Sequence, residues 1–114
     1  MSFKRGDVIL VCFPNSDLKT YKKRPALVVQ ADNLNTGLHQ KIVAMITSNL
    51  SRSGSTRVLV EKNSVRGKQM GILSDSMVVA DNLVTVLEKE IDKVIGTCSR
   101  IADVDQALRM VLFL

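Results

Sequence analysis

Two short apolar runs, each with a polar residue at one end, dominate the pattern of the chain. The first is Arg24-Pro25-Ala26-Leu27-Val28-Val29-Gln30, the second Lys41-Ile42-Val43-Ala44-Met45-Ile46-Thr47-Ser48. β-Branched residues crowd both. Turn formers bound them: Asp32, Asn33, Asn35 and Gly37 between the runs, Asn49, Ser51 and Gly54 after the second. This pattern predicts two strands buried on at least one face. If they pair antiparallel, the start of the first lies beside the end of the second. Arg24 and Thr47 then share one rim of a sheet.

The remaining pattern is read in the same way. Residues 8–13 are almost all apolar and predict a strand, ended by Pro14-Asn15. Residues 15–23 form a polar, basic loop carrying Lys19, Lys22 and Lys23. A strand over 25–30 follows, opened by a proline that a first strand position tolerates. Residues 33–40 read as a turn or a single helical turn, 41–48 as a strand, and 49–55 as a second loop containing Arg52. Residues 56–62 alternate, which predicts a half-exposed strand. Residues 63–70 are polar. Two short strands, 75–80 and 82–86, meet at Asp81, and 88–93 read as a helical turn. The period then changes. Ile101, Val104, Ala107, Leu108, Val111 and Leu112 recur at three- and four-residue spacing, with Asp103, Asp105, Gln106 and Arg109 between them. This is an amphipathic helix, with Thr97 as its expected N-cap. Several strands followed by one helix predict a mainly β domain over residues 1–114: a small antiparallel barrel or curled sheet with the C-terminal helix packed on it.

Composition narrows the chemistry. The longest apolar runs are far too short to span a membrane, and no signal segment opens the chain, so a cytoplasmic protein without a membrane partner is expected. Cys12 and Cys98 sit among apolar residues and read as small buried hydrophobes, not as a disulfide framework. A single histidine, His39, with no cysteine cluster argues against a zinc site, and no metal or other cofactor is expected. The net charge of +5 favours a polyanionic partner. With no Trp and only Tyr21, an extended aromatic platform for bases is excluded, although Tyr21 or Phe13 can each stack one base.

Several ordered segments now carry a resemblance. These are Gly6-Asp7-Val8-Ile9-Leu10-Val11, Phe13-Pro14, Asp17-Leu18 and Lys23-Arg24-Pro25-Ala26-Leu27-Val28-Val29. Further on come Ile46-Thr47-Ser48, Gly71-Ile72-Leu73 before Asp75-Ser76, residues 79–86, and Val104-Asp105-Gln106-Ala107-Leu108. Together they closely resemble the MazF/PemK family of bacterial toxins over nearly the whole length. The resemblance implies an SH3-like antiparallel barrel of the MazF, PemK and CcdB kind, assembled as a homodimer. It also implies a sequence-selective endoribonuclease that cuts single-stranded RNA without a metal, held inactive by a cognate antitoxin with an acidic, disordered tail. The family's arginine at the start of its second strand matches Arg24, and its threonine at the end of the third matches Thr47, followed by Ser48. Its Asp-Gln pair is Asp81-Asn82 here. Some members carry an arginine two residues before that aspartate, where this chain has Val79. Others carry a basic residue two after the Asn82 position, where it has Val84. Base specificity therefore does not transfer.

The residue types suit this chemistry on their own terms. Metal-free RNA cleavage uses the substrate's 2′-OH as nucleophile and needs a stabiliser for the charged phosphorane. A guanidinium donates in a planar fork matched to phosphate, and Arg24 takes that role, with Thr47 donating from its hydroxyl. A guanidinium titrates near 12.5 or above, which fits a proton donor poorly. Asp81 and His39 are the candidates for general base. Lys19, Lys22, Lys23, Ser48, Arg52, Asp81 and Asn82 are candidate RNA contacts. A non-catalytic toxin that binds nucleic acid, or acts as a gyrase poison, on the same barrel is the alternative.

Overall fold

The computed structural model describes residues 2–14, 17–99 and 101–114. Its elements are β1 (Asp7–Pro14), β2 (Tyr21–Val28), β3 (Gln40–Thr47), β4 (Arg57–Val60), α1 (Val65–Met70), β5 (Ser76–Leu87), a 3-10 turn (Glu88–Glu90), β6 (Ile91–Thr97) and α2 (Ala102–Leu112). The strands form one six-stranded sheet in the order β4-β5-β3-β2-β1-β6, every neighbouring pair antiparallel. This is the mainly β fold with a C-terminal helix that the pattern predicts.

Successive side chains of a strand point to opposite faces, and the sheet is apolar on both. Val8, Leu27, Ala44 and Ile46 belong to one cluster, which continues through Val58, Val60 and Val78 to Val104 and Ala107 of α2. Their neighbours Ile9, Ala26, Val28, Val43 and Met45 form a second cluster, closed by Val86 and flanked by Phe3, Phe13 and Ile91. Double burial explains why the two founding runs read as nearly continuous apolar stretches and not as clean alternation. Fully buried side chains such as Leu27 and Ile9 each contribute about 1.5–3 kcal/mol by leaving water.

Several boundaries differ from the pattern-based expectation. β2 starts at Tyr21, so Lys22 and Lys23 stand on a strand and not in a loop. β1 supplies their pairing partners, with Phe13 opposite Lys22 and Cys12 opposite Lys23. Residues 15 and 16 of the expected loop lie outside the described residues. The two strands expected to meet at Asp81 are one strand, β5, interrupted by a bulge. Ala44 pairs with Leu83 while the next residue, Met45, pairs with Val79, so Ala80, Asp81 and Asn82 have no opposite number. Such an insertion bends a strand. The bend lets the first part of β5 pair with β4 as well.

The polar stretch 63–70 contains α1, capped by Ser64, whose hydroxyl accepts the Gly67 N–H, and closed by Gly71 in the left-handed region (φ 71°). The expected helical turn over 88–93 is only the 3-10 turn, and β6 follows at once. Thr97 therefore ends a strand. The N-cap position of α2 is Ile101, and Asp103 takes up the first-turn N–H of Val104 at 2.9 Å. Asp103 also receives a forked ion pair from Arg66 at 2.6 and 2.9 Å, which ties α1 to α2.

Candidate active site

The groove begins where β2 and β3 part. Their ladder runs Val28↔Val43, Leu27↔Ala44, Ala26↔Met45 and stops. In β2 the odd-numbered residues face β3: Val29 N–H donates to Ile42 O at 3.1 Å, while the Val28 carbonyl is taken from the β1 side by Gly6 N–H. The next odd residue toward the start of the strand is Pro25, which has no N–H to give. The ladder ends there and the strands separate. The same register carried two residues further sets Arg24 opposite Thr47, at the mouth of the gap.

An open groove of about 940 Å³ occupies this gap. Its walls include Lys22, Lys23, Arg24 and Pro25 of β2, Thr47 and Ser48 at the end of β3, and the segment Gly71–Ser74 between α1 and β5. Asn82 reaches it from the bulge of β5, and Lys93 from β6. Leu10, Phe13, Met45, Val79, Val84 and Ile95 supply apolar lining. Among the described residues the lining holds four cations and no Asp or Glu.

The site chemistry follows from the hydrogen bonds. Arg24 is exposed and makes no ion pair among the described residues, so its guanidinium is available to an incoming anion. Lys23 is already engaged by Asp92 at 3.2 Å. Thr47 Oγ1 accepts the Asn49 N–H at 3.1 Å, and Asn49 in turn accepts the Ser51 N–H at 3.0 Å. With one lone pair so used, the Thr47 hydroxyl proton is left to point at an acceptor in the groove. Two donors of different geometry thus face the same space.

Other expected site residues lie elsewhere. Arg24, Thr47, Lys22, Lys23, Ser48 and Asn82 all line the groove; Lys19, Arg52 and Asp81 do not. Lys19 sits in the turn before β2, where Asp17 accepts the backbone N–H groups of Lys19 and Thr20 at 2.9 and 3.0 Å. These bonds, that of Lys19 first, hold the Asp17 carboxyl below the usual carboxylate range. Arg52 is exposed in the β3–β4 connection, and Asp81 is exposed in the bulge beside Asn82. His39 precedes β3 at the end remote from Thr47, about 26 Å away at ~3.3 Å per residue, with Glu88 at 3.7 Å. Neither expected general base reaches the groove. Lys93 was not singled out by the sequence, because the expected helical turn hid its strand.

The comparisons with known proteins fit this arrangement. The family model described as "PemK-like, MazF-like toxin of type II toxin-antitoxin system" matches residues 4–112. A solved "Endoribonuclease in complex with its cognate antitoxin from Mycobacterial species" is 20% identical, with a TM-score of 0.75 over 99% of this chain and 97% of that one. The Mycobacterium tuberculosis toxin MazF-mt6 is 24% identical, with a TM-score of 0.64 over 93% and 91%. MazE-MazF (Form-III) from Deinococcus radiodurans gives 0.76 at 15% identity over 100% and 99%. Those likenesses establish the shared fold. Comparison with curated proteins gives no match. With the family model spanning nearly the whole sequence, the chain belongs to the PemK-like, MazF-like toxins of type II toxin–antitoxin systems.

Proposed function

We propose that the protein is a metal-independent, sequence-selective endoribonuclease that cleaves single-stranded RNA and so arrests translation and growth. The observation that carries this reading is the groove itself: Arg24 and Thr47 meet at its mouth amid cations and no lining carboxylate. Such a lining attracts phosphates and offers no oxygen cage for a hard cation. RNA lying in the groove presents its scissile phosphate to Arg24. The substrate 2′-OH attacks phosphorus, the P–O5′ bond breaks, and the products are a 2′,3′-cyclic phosphate and a 5′-hydroxyl. Arg24 stabilises the doubly charged phosphorane through its fork, and the Thr47 hydroxyl donates a further hydrogen bond. No imidazole or carboxylate lines the groove, so catalysis rests on charge stabilisation, and the 2′-OH proton leaves by solvent or a phosphate oxygen. A homodimer and a cognate antitoxin that covers the groove complete the reading, as the antitoxin complexes of the structural neighbours suggest.

Single-turnover cleavage of labelled RNA in excess EDTA tests it. The wild type should cut RNA and leave the matched DNA, which lacks the nucleophile, intact. Arg24→Ala should lose a hundredfold or more in rate while binding RNA nearly as well, the scale expected when a transition-state donor is deleted. A need for added metal would defeat the mechanism. Undiminished cleavage by both Arg24→Ala and Thr47→Ala would defeat the site.

A further inference from the structure

The missing N–H of Pro25 has a second effect, on the partner and not on the reaction. Upstream of the last β2–β3 pair, β2 is still held by β1 as far as Pro14↔Tyr21, but its other edge faces the groove with no strand beside it. By the alternation fixed at Val28 and Val29, Lys22 and Arg24 turn their backbone groups to β1. Tyr21 and Lys23 turn theirs to the open side. Two donors and two acceptors thus alternate along one straight, regular edge. No other backbone group pairs with them among the described residues.

An open edge of this kind accepts an added strand. The cations beside it decide which strand. Lys22 and Lys23 oppose pairing with a second β2, which would bring like charges together, and together with Arg24 and Lys93 across the groove they favour an acidic chain. RNA phosphates only accept hydrogen bonds, so they leave the carbonyls of Tyr21 and Lys23 unmet. An extended peptide satisfies both kinds of group.

We infer that an acidic peptide segment adds to the Tyr21–Lys23 edge of β2 as an antiparallel or parallel strand, filling the groove and covering Arg24. Within the toxin reading this segment belongs to the antitoxin, and the inference specifies how it blocks the site. It binds by main-chain pairing, with charge giving the preference for acidic side chains. Its affinity for the edge is therefore less dependent on salt than that of RNA for the groove.

Amide hydrogen exchange followed by NMR reads this directly. The probe is a blocked seven-residue peptide alternating acidic residues with valine, added to the full chain. Tyr21 and Lys23 amides should slow at least tenfold at saturating peptide. Lys22 and Arg24 amides, already paired with β1, should not change. Peptides N-methylated on alternate amides should divide: one set retains binding within about threefold, and the set whose donors face β2 loses at least tenfold. The inference is overturned if the peptide fails to bind at millimolar concentration, if it binds without slowing Tyr21 and Lys23, or if both methylated sets bind alike. It is also overturned if single-stranded RNA slows those two amides and the peptide does not, which would assign the edge to RNA. RNA cleavage measured on the same preparation separates the two readings. Cleavage without edge protection overturns the strand addition alone; edge protection without cleavage overturns the ribonuclease alone.

Discussion

At the residue scale, Arg24 and Thr47 were legible because each closes an apolar run, and an antiparallel pairing places such ends together whatever the rest of the fold does. Their side chains make different demands. Arg24→Lys keeps the charge and loses the planar fork, so single-turnover cleavage should recover only part of the loss seen in Arg24→Ala. Thr47→Ser keeps the hydroxyl that accepts from Asn49 N–H and should cleave faster than Thr47→Ala. Equal rates for the two Thr47 variants would show that its methyl group, not its hydroxyl, matters. Lys93 was illegible. Its strand is paired to β1 through two register shifts, which destroy the period-two signal that would have exposed it. Lys22, Arg24 and Lys93 are the lining cations without an ion pair among the described residues. If each neutralises one phosphate of single-stranded RNA, Lys93→Ala should reduce the slope of log affinity against log salt by about 0.7. An unchanged slope would place the RNA away from β6.

At the scale of elements, α1 and β6 depend on contacts that no local pattern announces. A Cβ at Gly96 would meet the Gln69 and Met70 carbonyl oxygens at 2.4 Å, and one at Gly67 would meet the Glu61 carbonyl at 2.0 Å. The helix lies flat on its neighbours because both positions are bare. Gly96→Ala should therefore destabilise by about 1–3 kcal/mol or more, the range for forced overpacking, measured by urea unfolding. The caps of α1, Ser64 and Gly71, were present in the sequence, but six residues with two buried positions give too short a helical signal to outweigh a polar composition. The Arg66–Asp103 pair joins α1 to α2. The hydrogen bond from Arg66 is the chief cause that holds the Asp103 carboxyl below its usual range and raises the Arg66 guanidinium. A carboxyl depressed in the folded state stabilises fully above its unfolded value of about 3.9 and loses that contribution as pH falls through the folded value. Asp103→Asn should cost up to about 1 kcal/mol at pH 7, since the pair is partly solvated. That difference should shrink in unfolding curves taken as pH falls below the carboxylate range; a constant difference would mean that charge is not its source.

At the scale of the molecule, the net charge of +5 and the uninterrupted cationic lining make one statement: the preferred partners are anionic chains. In the family reading the working unit is a two-fold dimer. Sedimentation at micromolar concentration should give twice the chain mass, and monomer alone would count against that reading. Fold class was fixed by the sequence because burial on both sheet faces leaves dense β-branched runs, and α2 leaves a 3.6-residue period; both are local consequences of where water is excluded. The ends Arg24 and Thr47 were fixed with them. Tertiary structure alone decided that β5 is one bent strand delivering Asn82 to the groove, that β6 brings Lys93, and that His39 stands a strand's length away. These are matters of register and bending, set by packing between residues remote in the chain. Pro25 stands between the two levels. Its absent N–H is written in the sequence, but that the absence falls on the side facing β3, and so opens a groove there, is decided by which way β2 lies between its neighbours.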